Sequence, residues 1–446
     1  MNTFNQMMKR VMLGSLVCLL SACQLLPQNN QPVSDYTLPT VEPKYSTEEI
    51  ADFNHKVGLG NTNQYEGITI RETPILKVPA NLPKSLFYDS GINIAYPQEG
   101  VKGLYLTAEI VADTAHFQTI LNYVDETALN ALVIDFKSDS GAVTTQINTN
   151  NPLVNENIRP VVDMPAVLKT LEQHQIYPIA RIVTFKDYLL AENHPELSFK
   201  NMDTGELWSS DHGDLFINPF LKETWDYNID IAIEAAKMGF KEIQFDYVRF
   251  AEGFETFGDT LQYDKGLYSN YSVEPILDAN GVEVTGAERV AAITDFLKYA
   301  RERLAPYGVK VSADVFGYTA IAGTNSDAVG IGQNFIKIAE QVDVISSMIY
   351  PSHWGPGFFG IEDPNASPFD TVDEYMASEA LILKQVNNPV VTRPWLQDFS
   401  DGYPYYAAEV QDQINALHKH GIHEFLLWNI SGEYTTGVDY MPEMAH

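Results

Sequence analysis

Ala235-Ala236-Lys237-Met238-Gly239-Phe240-Lys241-Glu242-Ile243-Gln244-Phe245-Asp246-Tyr247-Val248-Arg249-Phe250 carries the plan of this chain in one passage. Upstream of Gly239, the residues Leu221, Trp225, Ile229, Ala232, Ile233 and Ala236 fall on one stripe at helical spacing, so Phe220 to Met238 predicts an amphipathic helix. Gly239 ends it, since glycine takes the left-handed conformation that closes a helix. After only Phe240 and Lys241, an apolar run begins that is too short for a helix and suits a buried strand.

The same plan recurs on either side. Short apolar, β-branched runs occur at Gly103 to Ile110, Ala131 to Lys137, Tyr177 to Phe185, Glu242 to Phe250, Lys310 to Tyr318, Val342 to Tyr350, Val390 to Phe399 and Glu424 to Ile430. Helical stretches separate them. Eight buried strands alternating with helices predict a parallel sheet covered on its faces and closed on itself, an α/β (β/α)₈ TIM barrel. An open doubly wound sheet is the competitor, but no Gly-x-Gly-x-x-Gly turn follows the first run. The connections after runs two, three, four and six are long, whereas those from helix to strand are short, which places the elaboration on the C-terminal face of the strands.

The barrel occupies residues 101–446 and is preceded by an irregular N-terminal lead, residues 45–100, expected to pack on it. Before that, Lys9 and Arg10 precede the apolar run Val11 to Leu20, then Leu20-Ser21-Ala22-Cys23. This resembles a bacterial lipoprotein signal peptide, residues 1–22, with Cys23 lipidated. Residues 23–44, rich in Gln, Asn, Pro, Ser and Thr, read as a solvated tether. Cys18 and Cys23 are the only cysteines, so a mature chain beginning at Cys23 has no disulfide and no catalytic thiol. The formal charge is −31, and −33 once Lys9 and Arg10 leave. Such a surface repels nucleic acid and anionic headgroups, so the expected membrane link is the lipid, at the bacterial cell envelope, and the compatible polymers are neutral or cationic.

Alternation in the fourth strand puts Gln244, Asp246 and Val248 on one face. A carboxylate inside a barrel is costly unless paired or used, so Asp246 is either a catalytic group or half of an ion pair with Arg249 or Arg181. Asp314, in Val311-Ser312-Ala313-Asp314-Val315, lies at matching depth on the fifth strand. Two facing carboxyls whose pKa values are driven apart by burial, repulsion and a nearby arginine suit glycoside hydrolysis. Asp135 on strand two is read as binding sugar hydroxyls or pairing. Asp139, before Ser140-Gly141, is read as turn chemistry. Arg181 on strand three would hold a carboxylate ionised. Tyr350, His353, Trp354, Trp395, Gln397 and Trp428 fall at the later strand ends, where aromatic faces and amides suit sugar rings. His418, His420 and His423 sit before strand eight, on the opposite face, and read as a solvated helix terminus. No metal or other cofactor is expected, and no Gly-x-Ser-x-Gly, Walker or His-Glu-x-x-His motif occurs.

Several ordered phrases resemble one family: Lys102-Gly103-Leu104-Tyr105-Leu106-Thr107, Asn130 to Lys137 with Asp139-Ser140-Gly141, Gln244 to Phe250, Ser312-Ala313-Asp314-Val315-Phe316-Gly317, and Met348-Ile349-Tyr350-Pro351-Ser352-His353-Trp354. It is a bacterial family of glycosyl hydrolase TIM barrels, formerly a domain of unknown function, and the resemblance covers about residues 101 to 435. It implies a hydrolase distantly related to the α-amylase-like and α-galactosidase-like enzymes, with a strand-four aspartate, here Asp246, as nucleophile. The amylase-like arrangement implies an acid on strand five, here Asp314. The galactosidase-like one implies strand six, where only Asp343 stands, at the wrong end. The expected activity is hydrolysis of an extracellular or envelope polysaccharide. The alternatives are a non-catalytic glycan-binding barrel and a metal-dependent deacetylase, for which His353 alone makes no ligand set.

Overall fold

The computed structural model describes residues 87–269, 273–278 and 280–441. The expected signal peptide, Cys23, the expected tether and the lead up to residue 86 lie outside the described residues. Among those described, no helix is long and apolar enough to cross a membrane.

Eight parallel strands form the centre: β1 (Lys102–Leu106), β2 (Ala131–Lys137), β3 (Tyr177–Val183), β4 (Glu242–Asp246), β5 (Lys310–Phe316), β6 (Val344–Met348), β7 and β8 (Phe425–Trp428). Strand β7 comes in two pieces, Val391–Thr392 and Trp395–Gln397, because Pro394 has no N–H to give to a ladder. The order runs β6, β7, β8, β1, β2, β3, β4, β5, and β5 pairs back onto β6. The sheet is therefore a closed (β/α)₈ barrel. Helices cover it: α1 (Thr114–Asp125), α2 (Met164–His174), α3 (Lys222–Met238), α4 (Ala287–Leu304), α5 (Phe335–Ala339), α6 (Pro368–Leu383) and α7 (Ala407–Lys419). The stripe of α3 buries Trp225, Ile229, Ala232, Ile233 and Ala236, and Gly239 caps it at φ 126°.

Several strands are shorter than their apolar runs. β4 stops at Asp246, because Tyr247 turns to φ +48°, so the alternation read through Val248 and Arg249 does not continue. Phe250 instead joins an aromatic cluster with Phe199, Phe220 and Phe254. That cluster roots the long connection after β4, whose Leu261–Gln262 pairs antiparallel with Lys200–Asn201 of the connection after β3. Residues 87–100 cross the N-terminal end of the barrel: Lys241 Nζ donates to the Ile92 carbonyl, and the Tyr96 hydroxyl donates to Glu424. The histidine cluster corrects one expectation, since His418 is buried at the end of α7, edge-on to His423, while His420 pairs with Asp373 at 2.7 Å.

The turn after β2 is held from beneath. Gly141 has φ +91°, and a Cβ there would collide with the Asp187 carboxylate. Asp187 is fully buried and pairs with the equally buried Lys137 at 2.8 Å. Gly141→Ala therefore combines backbone strain with displacement of a buried ion pair, and chemical denaturation should show a loss of at least about 2 kcal/mol.

Candidate active site

Side chains of non-neighbouring strands meet only through the barrel lumen, and such contacts mark the inward faces. Gln244 on β4 reaches Ser346 on β6, and Trp395 on β7 reaches Asp314 on β5. With the period of two, Glu242, Gln244 and Asp246 on β4, and Ser312 and Asp314 on β5, all face inward.

Arg181 organises the C-terminal end. It is 1% exposed, and its guanidinium touches three carboxylates. Nη1 donates to Asp135 Oδ1 at 2.7 Å. Nε and Nη2 both donate to Asp246 Oδ2, at 2.9 and 2.7 Å, and Nη2 also donates to Asp139 Oδ1 at 3.1 Å. The other oxygen of Asp246 accepts the Tyr247 N–H at 2.6 Å, which the left-handed turn at Tyr247 aims at it. Charge-assisted bonds of this kind are shorter and stronger than those between neutral groups. Asp135 also accepts from the Tyr105 hydroxyl at 2.7 Å; burial pushes its carboxyl up to about 6 against the pull of Arg181.

Asp314 stands one step beyond the Phe245–Ala313 register pair, opposite Asp246 on the neighbouring strand. Its environment is the reverse. It is 1% exposed, Oδ1 accepts the Trp395 indole N–H at 2.8 Å, and buried Oδ2 has no hydrogen-bond partner. Burial first, and then the charge of Asp246, hold its carboxyl well above the usual range. Tyr350 is buried nearby, and its phenol is raised by burial and by the charges of Asp314 and Asp246, so it stays protonated.

Above these groups lies an aromatic wall. Trp428 is partly exposed and stacks on Tyr105, with centroids 4.0 Å apart and 12° between planes; Trp395 meets Trp428 edge-on at 5.5 Å. His353 is exposed and edge-on to Tyr350 at 5.1 Å.

The structure thus brings together Asp135, Arg181, Asp246, Asp314, Tyr350, Trp395 and Trp428, with His353 beside them. Two expected residues are placed differently. Gln397 shares the face of Trp395 on β7 but is fully buried, its amide accepting from the Ser352 N–H and donating to the Phe399 carbonyl, so its polar atoms are engaged by two loops. Trp354 packs among Phe358, Phe359 and Tyr375 of α6, outside the lumen. Asp246 pairs with Arg181 alone, because Arg249 turns to Glu252. Sequence reasoning missed Tyr105, although alternation in β1 places it inward with Gly103. It also missed Tyr247, whose left-handed backbone has no signal in a non-glycine residue. Asp139 does sit in a turn, with the Gly141 N–H on the Ser138 carbonyl, but its side chain is 51% exposed at the mouth and lies 3.7 Å from Lys186. Among the described residues no group of His, Cys, Asp or Glu is arranged to hold a metal ion; where three aspartates converge, Arg181 supplies the positive charge.

A protein described as hypothetical, from Ruminiclostridium thermocellum, is 34% identical over 48% of this chain and 97% of its own, with a TM-score of 0.38. The PgaB (BpsB) glycoside hydrolase domain from Bordetella bronchiseptica is similar in fold, at 14% identity over 75% of this chain and 94% of that one, with a TM-score of 0.54. No curated protein matches. The family model described as "Putative glycosyl hydrolase domain" matches residues 103–434, from the first barrel strand to the segment beyond the last, and so takes in every carboxylate around Arg181 together with Asp314. The chain belongs to that family, and its barrel is a glycosyl hydrolase domain.

Proposed function

We propose that the protein hydrolyses glycosidic bonds of a polysaccharide at the bacterial cell envelope, held there by lipid on Cys23, through two carboxyl groups in opposite protonation states. One observation carries this reading: Asp246 is clasped by Arg181 and the Tyr247 N–H, whereas the facing Asp314 carboxyl is buried without an ion-pair partner among the described residues, and no described group donates to its Oδ2. Asp246 is then the carboxylate that attacks the anomeric carbon or activates water, and Asp314 the acid that protonates the leaving oxygen. Trp428, Asp135, Tyr350 and His353 line the sugar site.

Asp314→Asn tests the assignment. The amide keeps the acceptor for Trp395 but has no proton to give. Turnover of natural linkages should fall by about 10²–10⁴-fold, with far less loss on aryl glycosides whose leaving group needs no proton. In the wild type, activity should decline as pH rises through the raised Asp314 value. Stability moves with it. A carboxyl bound more tightly to its proton when folded contributes fully below the unfolded value near 4, and loses that contribution as pH rises. At neutral pH Asp314→Asn should therefore melt higher than wild type, by roughly 2–4 °C for each kcal/mol recovered, with the difference vanishing near pH 4.

Asp139 is a second candidate for the acid. It is half exposed, and its Oδ1 shares Arg181 Nη2 with Asp246 Oδ2, which keeps the two oxygens within about 6 Å, close to the spacing of a retaining pair. If Asp139→Ala, and not Asp314→Asn, shows the leaving-group discrimination, Asp139 is the acid.

A further inference from the structure

Three buried oxygens belong to side chains that face the inside of the barrel, and none has a hydrogen-bond donor among the described residues: Asp314 Oδ2, Gln244 Oε1 and Glu242 Oε2. They share the inward face of neighbouring strands, with Gln244 opposite Ser312 and Glu242 opposite Lys310 in register. The groups between them are small and polar. Gln244 Nε2 lies 3.5 Å from Ser346 Oγ, a long contact, and Ser312 Oγ makes only a 3.4 Å approach to the Ile243 carbonyl. Buried acceptors are rarely left without a donor, because each costs about 1–3 kcal/mol. The Gln244 amide is turned toward Ser346, so no group among the described residues supplies these three.

Glu242, the lowest of the three, belongs to a second charged cluster. Arg393 Nη1 donates to Glu242 Oε1 at 2.8 Å, its Nε to Glu424 Oε2 at 2.9 Å, and its Nη2 to the Tyr96 hydroxyl at 3.0 Å. Glu424 is partly exposed at the N-terminal face, so this end meets solvent. At the upper end Asp314 does not: Trp395 covers Oδ1 and Oδ2 is buried.

We propose that the lumen beneath Asp314 binds a short file of water, held by Gln244, Ser346 and Ser312 and reaching Glu242, and that Asp314 exchanges its proton with solvent along it. Water is the one common group that donates to several buried acceptors at once, and it binds where two to four polar partners converge. When Asp314 releases its proton, water O–H groups on Oδ2 take up the charge left behind; a proton returns to Oδ2 by hops along the file, replaced from the Glu242 end. The charged and titratable groups around Asp314 are Asp246 and Glu242 from β4, Arg181 from β3 and Tyr350 from the loop after β6, with the Trp395 indole from β7. All of these remain when the file is cut. The proposal uses the site assigned above but concerns the proton of Asp314, whatever the barrel cleaves.

The test needs no substrate. In a crystal structure at high resolution, ordered water should bridge Asp314 Oδ2 and Gln244. Infrared spectroscopy of the whole protein, with the Asp314 carboxyl band assigned by its loss in Asp314→Asn, should show rapid exchange in deuterated water. Gln244→Met keeps the side-chain length and removes its polarity. It should slow that exchange at least tenfold and move the ionisation of Asp314 upward by about one pH unit, because the carboxylate loses its hydration. Ser346→Val fills the same lumen from β6 and should act alike if Gln244→Met does not fold. A wild-type structure with the Gln244 amide turned to donate directly to Asp314, or unchanged exchange and ionisation in both variants, overturns the proposal. Absence of glycosidase activity in the wild type would instead count against the reading of the site, and leaves these measurements intact.

Discussion

Asp246→Asn is expected to lower kcat by about 10⁴-fold or more on any polysaccharide that the wild-type protein cleaves, while leaving the fold in place. The amide keeps an oxygen for the Tyr247 N–H, and Arg181 retains Asp135 and Asp139, so no buried cation is stranded. What is lost, on the proposed mechanism, is the negative charge that would face the anomeric carbon. Asp135 is engaged by Tyr105 and Arg181, and burial together with the charge of Asp246 raises the Asp314 carboxyl above the usual carboxylate range. The check is product release from a polysaccharide panel, with circular dichroism and melting to confirm folding. Full turnover in the Asn variant would remove Asp246 from the chemistry. A wild-type protein that binds one polysaccharide tightly and cleaves none would mark the barrel as a glycan-binding module.

The second large effect is on stability. Arg181→Met removes the one cation shared by Asp135, Asp246 and Asp139, and strands two of these carboxylates in the barrel. Breaking a buried pair on one side costs about 3–5 kcal/mol, which for a domain of this size means roughly a 10 °C fall in Tm at neutral pH. The loss should shrink in acid. Without Arg181 the buried carboxyls bind protons more tightly in the folded state than in the unfolded one, so protonation restores stability as pH falls toward 4. Asp135, already at about 6 with Arg181 present, sets the lower edge of the window in which the variant should begin to recover. An Arg181→Met protein that melts like the wild type from pH 5 to 8 would show that the aspartates do not depend on the guanidinium.

The lower end of the barrel shows how burial sorts charge by position. Arg393 ties Glu242, Glu424 and Tyr96 into one network under the strands, where residues 87–100 cross the barrel end, and Glu242 Oε2 is left without a donor. Around Arg181 the same residue types are left partly open to solvent, at Asp139, and partly unsatisfied, at Asp314. Fold stability can account for a cation shared between two glutamates; the second arrangement keeps a buried carboxyl without an ion-pair partner beside a paired carboxylate, which stability alone does not favour.

By itself the sequence determined the barrel and the strand positions of its carboxylates. Eight apolar runs alternating with helical stripes leave a parallel sheet no way to bury both faces except helices outside and side chains within, and a period of two then turns Asp135, Arg181, Asp246 and Asp314 inward together. Near-neighbour spacing cannot say which charged groups meet across the lumen. Only tertiary structure chose Arg181 over Arg249 as the partner of Asp246, because that choice depends on strand stagger and on the left-handed turn at Tyr247. It likewise withdrew Trp354 from the mouth, engaged the Gln397 amide with two loops and brought Tyr105 in, since a residue at a strand end can face the lumen, a loop or a covering helix. Chemistry at the strand ends rests on where backbones turn and which oxygens are left without donors, and both are properties of the closed barrel.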